Sequence, residues 1–108
     1  MKFLLSQRKH CAIMGSYKLS EDAKNDLIRI HQHGVIKFGE AQADKYYLAF
    51  FERFEQLAEQ PYLYPSVDYI REGYRRSVCG TDSIYYRMNG DTVEIMNVLG
   101  QQDINESL

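Results

Sequence analysis

The stretch SIYYRMNGDTVEIMNVL, residues 83 to 99, alternates apolar and polar side chains on either side of an Asn-Gly pair. Alternation with a period of two is what a sheet with one buried face requires. Asn89-Gly90 is the dipeptide that best tolerates the positive φ of a short hairpin turn. Residues 83–88 and 92–99 therefore read as adjacent antiparallel strands. Upstream, IREGYRRSVC, residues 70–79, reads as a third. In simple alternation Arg71, Gly73, Arg75 and Ser77 share one side of that strand, and Glu72, Tyr74, Arg76 and Val78 share the other. On the next strand Ser83, Tyr85 and Arg87 oppose Ile84, Tyr86 and Met88. With the apolar sets turned inward, Arg71, Arg75, Tyr85 and Arg87 are expected on an open face, and Arg76 falls on the core side, which predicts a bulge, a strand edge or a buried ion pair.

Before these strands the period lengthens. Ser20 precedes Glu21 and Asp22, an N-cap followed by acids that suit the positive end of a helix dipole. Ala23, Leu27, Ile30 and Ile28 then supply the apolar stripe of a first helix ending near Gly34 or Gly39. From Glu40 to about Gln60, Ala43, Tyr46, Tyr47, Phe50, Phe54, Leu57 and Ala58 recur at three- and four-residue intervals, an aromatic-rich second helix that Pro61 terminates. Tyr17-Lys18-Leu19 forms a short opening strand. The order β-α-α-β-β-β has two amphipathic helices that must bury their stripes against one face of a small antiparallel sheet, which is an α+β fold in two layers, a helical hairpin on a sheet.

Composition narrows the function. At 108 residues, with 44% apolar and 26% charged side chains, the chain is one small globular domain. Its net charge is −2, and the leader carries Lys2, Arg8 and Lys9 with no acid, so the remaining ten cations face fifteen acids. Phosphate neutralisation supplies most nucleic-acid affinity, and this balance disfavours direct binding to RNA or DNA. Cys11 and Cys79, the only cysteines, make neither a disulfide framework nor metal-site spacing, which fits a reduced, cytoplasmic chain. The opening MKFLLSQRKH is too short in its apolar run for a secretory signal, and no later stretch has membrane-spanning length. Residues 1–16 read as an extension or tail with a possible alternative start at Met14, residues 17–103 as the domain, and residues 104–108 as a short tail.

The ordered motifs LSEDAKNDLIRI, FGEAQADKYYLAFFERFEQLAEQP, IREGYRRSV, SIYYRMNGD and VEIMNVLGQQD resemble the ParE branch of the RelE/ParE toxin superfamily, the toxins of type II toxin–antitoxin modules. The resemblance implies the RelE/ParE-like fold and two alternative activities. RelE-like members cut messenger RNA on the ribosome; ParE-like members inhibit DNA gyrase by binding it. RNA cleavage needs cations against the phosphate and an acid–base group nearby. Where the nuclease branch carries such groups this chain has Ser83 and Gln101-Gln102-Asp103, and the tail INESL adds neither tyrosine nor base. The reading is a non-enzymatic gyrase inhibitor that needs no cofactor, metal or catalytic residue. The alternatives are a ribosome-dependent endoribonuclease using rearranged arginines, or a non-toxic relic that still binds its antitoxin.

Family membership further implies a ParD-like antitoxin whose flexible half folds over the toxin, giving a hetero-oligomeric complex. Arg71, Arg75, Tyr85 and Arg87 are expected to contribute to recognition of gyrase or antitoxin, since arginine and tyrosine are enriched at interfaces. Tyr47 and Phe51, one position off the core stripe of the second helix, are the aromatic contact candidates, while Phe50 and Phe54 are assigned to the core. His31 and His33 stand two apart and cannot share a helix face, so they are not a metal pair. Glu52, Glu55 and Glu59 read as a solvated face or as partners of Lys45 and Arg53.

Overall fold

A computed structural model describes residues 16–100, with elements β1 (Ser16–Leu19), α1 (Glu21–Phe38), α2 (Glu40–Glu59), β2 (Arg75–Cys79), β3 (Asp82–Asn89) and β4 (Thr92–Gly100). The Met14 start, the leader before residue 16 and the segment from Gln101 lie outside the described residues. The sheet runs β1-β4-β3-β2. Its β2-β3-β4 part is antiparallel as expected, and β1 adds to it in parallel with β4, Ser16 opposite Thr92 and Leu19 opposite Ile95.

Ser20 is the hinge between β1 and α1. Its hydroxyl accepts the Ala23 N–H, which caps the helix, and donates to the Met96 carbonyl on β4. Beyond Ile95 strand β1 no longer covers the edge of β4, and α1 takes over: Asp26 accepts the Val98 N–H at 2.9 Å and Arg29 donates to the Val98 carbonyl. Strand polarity that would otherwise be open is thus met by helix side chains.

One residue joins the helices. Gly39, at φ 94° and ψ 161°, lies in a region that only glycine occupies without strain, closes α1 by donating to Val35, and accepts the Ala43 N–H that starts α2. The helix-facing core contains Ala23, Leu27, Phe50, Phe54, Leu57, Cys79, Ile84, Tyr86, Val93, Ile95 and Val98, in agreement with the stripes read for α1 and α2 and with the inward set on β3. Ile28 is exposed and does not join it.

Three local readings are corrected. The turn of the β3–β4 hairpin is Gly90-Asp91 rather than Asn89-Gly90: Asn89 pairs with Thr92, and only Gly90 has positive φ, as in a type II′ turn. The strand expected from residue 70 begins at Arg75, because residues 66–74 fold into a loop of their own. Finally, β2 faces the opposite way from its expected alternation. Ser77 and Cys79 are buried and Val78 is exposed, so Arg75, Ser77 and Cys79 stand on the helix side and Arg76 on the outer side. The apolar Tyr74 and Val78 misled the pattern: Tyr74 belongs to the loop, and Val78 is an exposed residue of an edge strand. Arg76 therefore needs no buried counter-ion.

Candidate functional site

The outer face of the sheet carries a second, smaller core. Opposite the helices, Tyr85 and Leu99 are covered by Val67 and Tyr74 from the loop, with Ile70 and Met96 at its margin. A bulge makes this possible. Tyr85 pairs with Asn97 and Tyr86 with Ile95, so Met96 is the extra residue on β4, and the facing of that strand changes there.

The expected open face of Arg71, Arg75, Tyr85 and Arg87 does not assemble. Tyr85 has 0% exposure, and its hydroxyl finds no hydrogen-bond partner among the described residues. Arg71 is not on a strand; it lies in the loop with its guanidinium over the Tyr74 ring, 5.6 Å from the centroid. Arg75 turns to the helix side, donates to the Tyr64 carbonyl at 2.6 Å and stacks on the exposed Tyr62 ring. Arg87 is exposed on the outer face of β3. Its Nε donates to Glu94, its cross-strand neighbour, at 2.7 Å, and Asn89 donates to the other carboxylate oxygen. Those bonds from Arg87 and then Asn89 hold the Glu94 carboxyl below its usual range, and the same bond raises Arg87.

The helical candidates hold together better. Tyr47 and Phe51 are half-buried, their rings 5.1 Å apart, with Phe51 edge-on to the buried Phe54. His31 packs edge-on to Tyr47, and its Nε2 is 2.6 Å from an Asp44 carboxylate oxygen, a link between α1 and α2. No cluster of metal ligands occurs among the described residues. Ile36, Phe38 and Leu48 are exposed on the same two helices. Glu52, Glu55 and Glu59 lie exposed on α2.

Two side chains of α2, read from the sequence only as a helical cation and as part of the apolar stripe, fix the edge of the sheet. Arg53, read as a partner of helical glutamates, instead donates to the Ser77 hydroxyl and the Val78 carbonyl, both at 2.7 Å, tying α2 to β2. Tyr46 donates toward the Cys79 carbonyl and the Asp82 carboxylate, each 2.9 Å from its hydroxyl, and accepts the Thr81 N–H. Its ring leaves no room at the hairpin tip: a Cβ on Gly80 would collide with it. Burial chiefly, and the acceptor Asp82 further, push the Tyr46 hydroxyl above its ordinary value.

Comparison with known proteins places this geometry. The family model described as ParE toxin of type II toxin-antitoxin system, parDE, matches residues 17–105. A protein named Toxin ParE1 from Caulobacter vibrioides is 36% identical over 88 residues, covering 82% of this chain and 91% of that one. Another Toxin ParE1, from Mycobacterium tuberculosis, is 30% identical over 94 residues, covering 85% and 96%. Among solved structures, one titled as the chromosomal ParDE TA system from P. aeruginosa superposes with a TM-score of 0.67 at 26% identity, over 81% of this chain and 96% of that one.

Proposed function

The chain belongs to the ParE toxin family of type II toxin–antitoxin systems, and from that premise we propose that it poisons DNA gyrase by binding it, without turnover, until a ParD-like antitoxin covers it. The observation that carries the choice against RNA cleavage is the Arg87–Glu94 pair. Arg87 is an exposed guanidinium on the outer sheet face, and a carboxylate already holds it in a charge-assisted bond. A phosphodiester would have to displace that carboxylate, and Ser83, at the place where the nuclease branch puts an arginine, is buried.

For the antitoxin, the α1–α2 hairpin is the better seat. Tyr47 and Phe51 form a half-buried aromatic pair on α2, and Ile36, Phe38 and Leu48 are exposed on the same two helices, apolar side chains that suit the apolar face of an amphipathic helix folding as it binds. Arg71, Arg75 and Arg87 serve gyrase or antitoxin as polar contacts, while Tyr85 lies buried under the loop that carries Arg71. The complex is a toxin–antitoxin hetero-oligomer in the cytoplasm; no helix among the described residues is long and apolar enough to cross a membrane.

Purified protein added to gyrase tests the reading directly. Inhibited supercoiling or trapped cleaved DNA, reversed by the antitoxin, is expected. Cuts at codon boundaries in translated messages, with gyrase unaffected, would replace this reading with the nuclease one. Normal growth of cells making the protein alone would leave only antitoxin binding.

A further inference from the structure

Residues 66–74 of the loop between α2 and β2 make a set of backbone hydrogen bonds among themselves. Val67 N–H donates to the Tyr74 carbonyl, Ile70 and Arg71 N–H donate to that of Val67, Tyr74 N–H donates to that of Arg71, and Gly73 N–H donates to the Asp68 carboxylate. The two ends meet in a single antiparallel bridge, Ser66 with Arg75. Before that bridge the chain is pinned to its surroundings: Tyr86 donates to the Pro61 carbonyl, Arg75 to that of Tyr64, and Arg76 N–H to that of Pro65. After it, among the described residues, no backbone hydrogen bond runs from 67–74 to the sheet. Val67, Ile70 and Tyr74 rest on Tyr85, Leu99 and Met96 through apolar contact.

Beneath that contact lies the Tyr85 hydroxyl, buried and without a partner. A hydroxyl in that position loses its hydration and gains nothing in return, so the docked loop is held less firmly than its apolar area alone would give. Among the described residues, undocking breaks no backbone hydrogen bond to the sheet, and it lets water reach the oxygen. We propose that residues 66–74 are a flap that lifts from the outer face of the sheet as one body, hinged at the Ser66–Arg75 bridge, while the helices and main core stay folded. The surface it uncovers is Tyr85, Leu99 and Met96. Half-buried Arg76, the cross-strand neighbour of Tyr85, borders it. Local opening of this kind is the low end of the stability range within one domain.

Thiol labelling under native conditions tests the flap, with Cys79 in the main core as the internal reference. Val67→Cys places a thiol under the flap, and Leu99→Cys does so from the sheet side if the first variant fails to fold. Iodoacetamide labelling, resolved by peptide mass spectrometry, should modify the introduced thiol at least about tenfold faster than Cys79, with little dependence on urea, as expected of local rather than global opening. Adding Tyr85→Phe should slow that labelling by at least about fivefold, because it removes the orphaned hydroxyl, and leave Cys79 unchanged. Equal rates and equal urea dependence at the two thiols would show that loop and core open together, which overturns the proposal. So would a Tyr85→Phe change that slows nothing.

Discussion

Asp26 on α1 stands to Val98 on β4 as a neighbouring strand would, accepting its N–H at 2.9 Å where β1 has already ended. Asp26→Ala leaves that donor unmet and should cost about 1–3 kcal/mol, whereas Asp26→Asn keeps an acceptor and costs less. Burial dominates the carboxyl and raises its pKa, against the opposing pull of the Val98 N–H and Arg29. A raised folded pKa means that the native state binds the proton more tightly than the unfolded chain. The contribution of Asp26 is therefore greatest below the unfolded value of 3.8 and is lost as pH rises through the folded one. Urea unfolding of wild type and Asp26→Asn from pH 3 to 7 should show the difference moving against wild type as pH increases.

Tyr46 and Gly80 are coupled by space. Gly80→Ala must adopt φ 64° and also displace the Tyr46 ring with its hydroxyl bonds. The left-handed backbone alone costs about 1–2 kcal/mol, and the displaced ring adds to that. In a Tyr46→Ala background only the backbone part should remain, so the double variant loses less than the sum of the singles, a coupling that a double-mutant cycle measures.

Removing Arg53 should loosen the exposed edge. Arg53→Ala deprives the buried Ser77 hydroxyl and the Val78 carbonyl of a charged donor, a loss of about 1.5–3 kcal/mol. Arg53→Lys reaches only one of them at a time and should fall between. Amide exchange along β2 is the readout, since a global midpoint would not localise the effect.

Three buried or half-buried tyrosines should titrate late. Burial delays ionisation of Tyr17 and Tyr46 beyond the usual 10, and pushes Tyr86, whose hydroxyl donates to the Pro61 carbonyl at 2.6 Å, up to about 12. For Tyr86 the folded value exceeds the unfolded one, so its stabilising share is intact below pH 10 and lost as pH rises through about 12. Absorbance at 295 nm should show a late phase that disappears in Tyr86→Phe.

Arg87→Ala and Tyr85→Ala separate surface from interior. The first alters an exposed ion pair and should leave the unfolding midpoint near that of wild type, so weaker gyrase or antitoxin binding would report contact. The second empties the small outer core at a cost of about 3–5 kcal/mol, and its loss of function should track the loss of folded protein.

The helices and the β3–β4 hairpin were legible because each residue obeys one local period: the Ser20 cap, the Phe50 and Phe54 stripe, and the alternation of Ile84, Tyr86 and Met88 all point to one core. The outer face was not, because its core is assembled from a loop. Val67, Ile70 and Tyr74 stand three and four apart, a helical spacing, yet they lie in a loop, and Tyr85 sits in an alternation that marks it as outward without saying that something covers it. Arg53 carried no signal beyond a cation on a helix; its role depends on which strand passes beside it.

The parallel seat of β1 against β4 has a consequence for the order in which the chain acquires its shape. Ser16 waits for Thr92, 76 residues later, and β4 lies between β1 and β3 in the sheet. During synthesis the helical hairpin can close at once around its single linking residue, but the first strand has nothing to lie against until nearly all of the described chain has left the ribosome. A nascent copy is thus an unfinished one: its sheet is completed only in a late step, after the helical hairpin has closed.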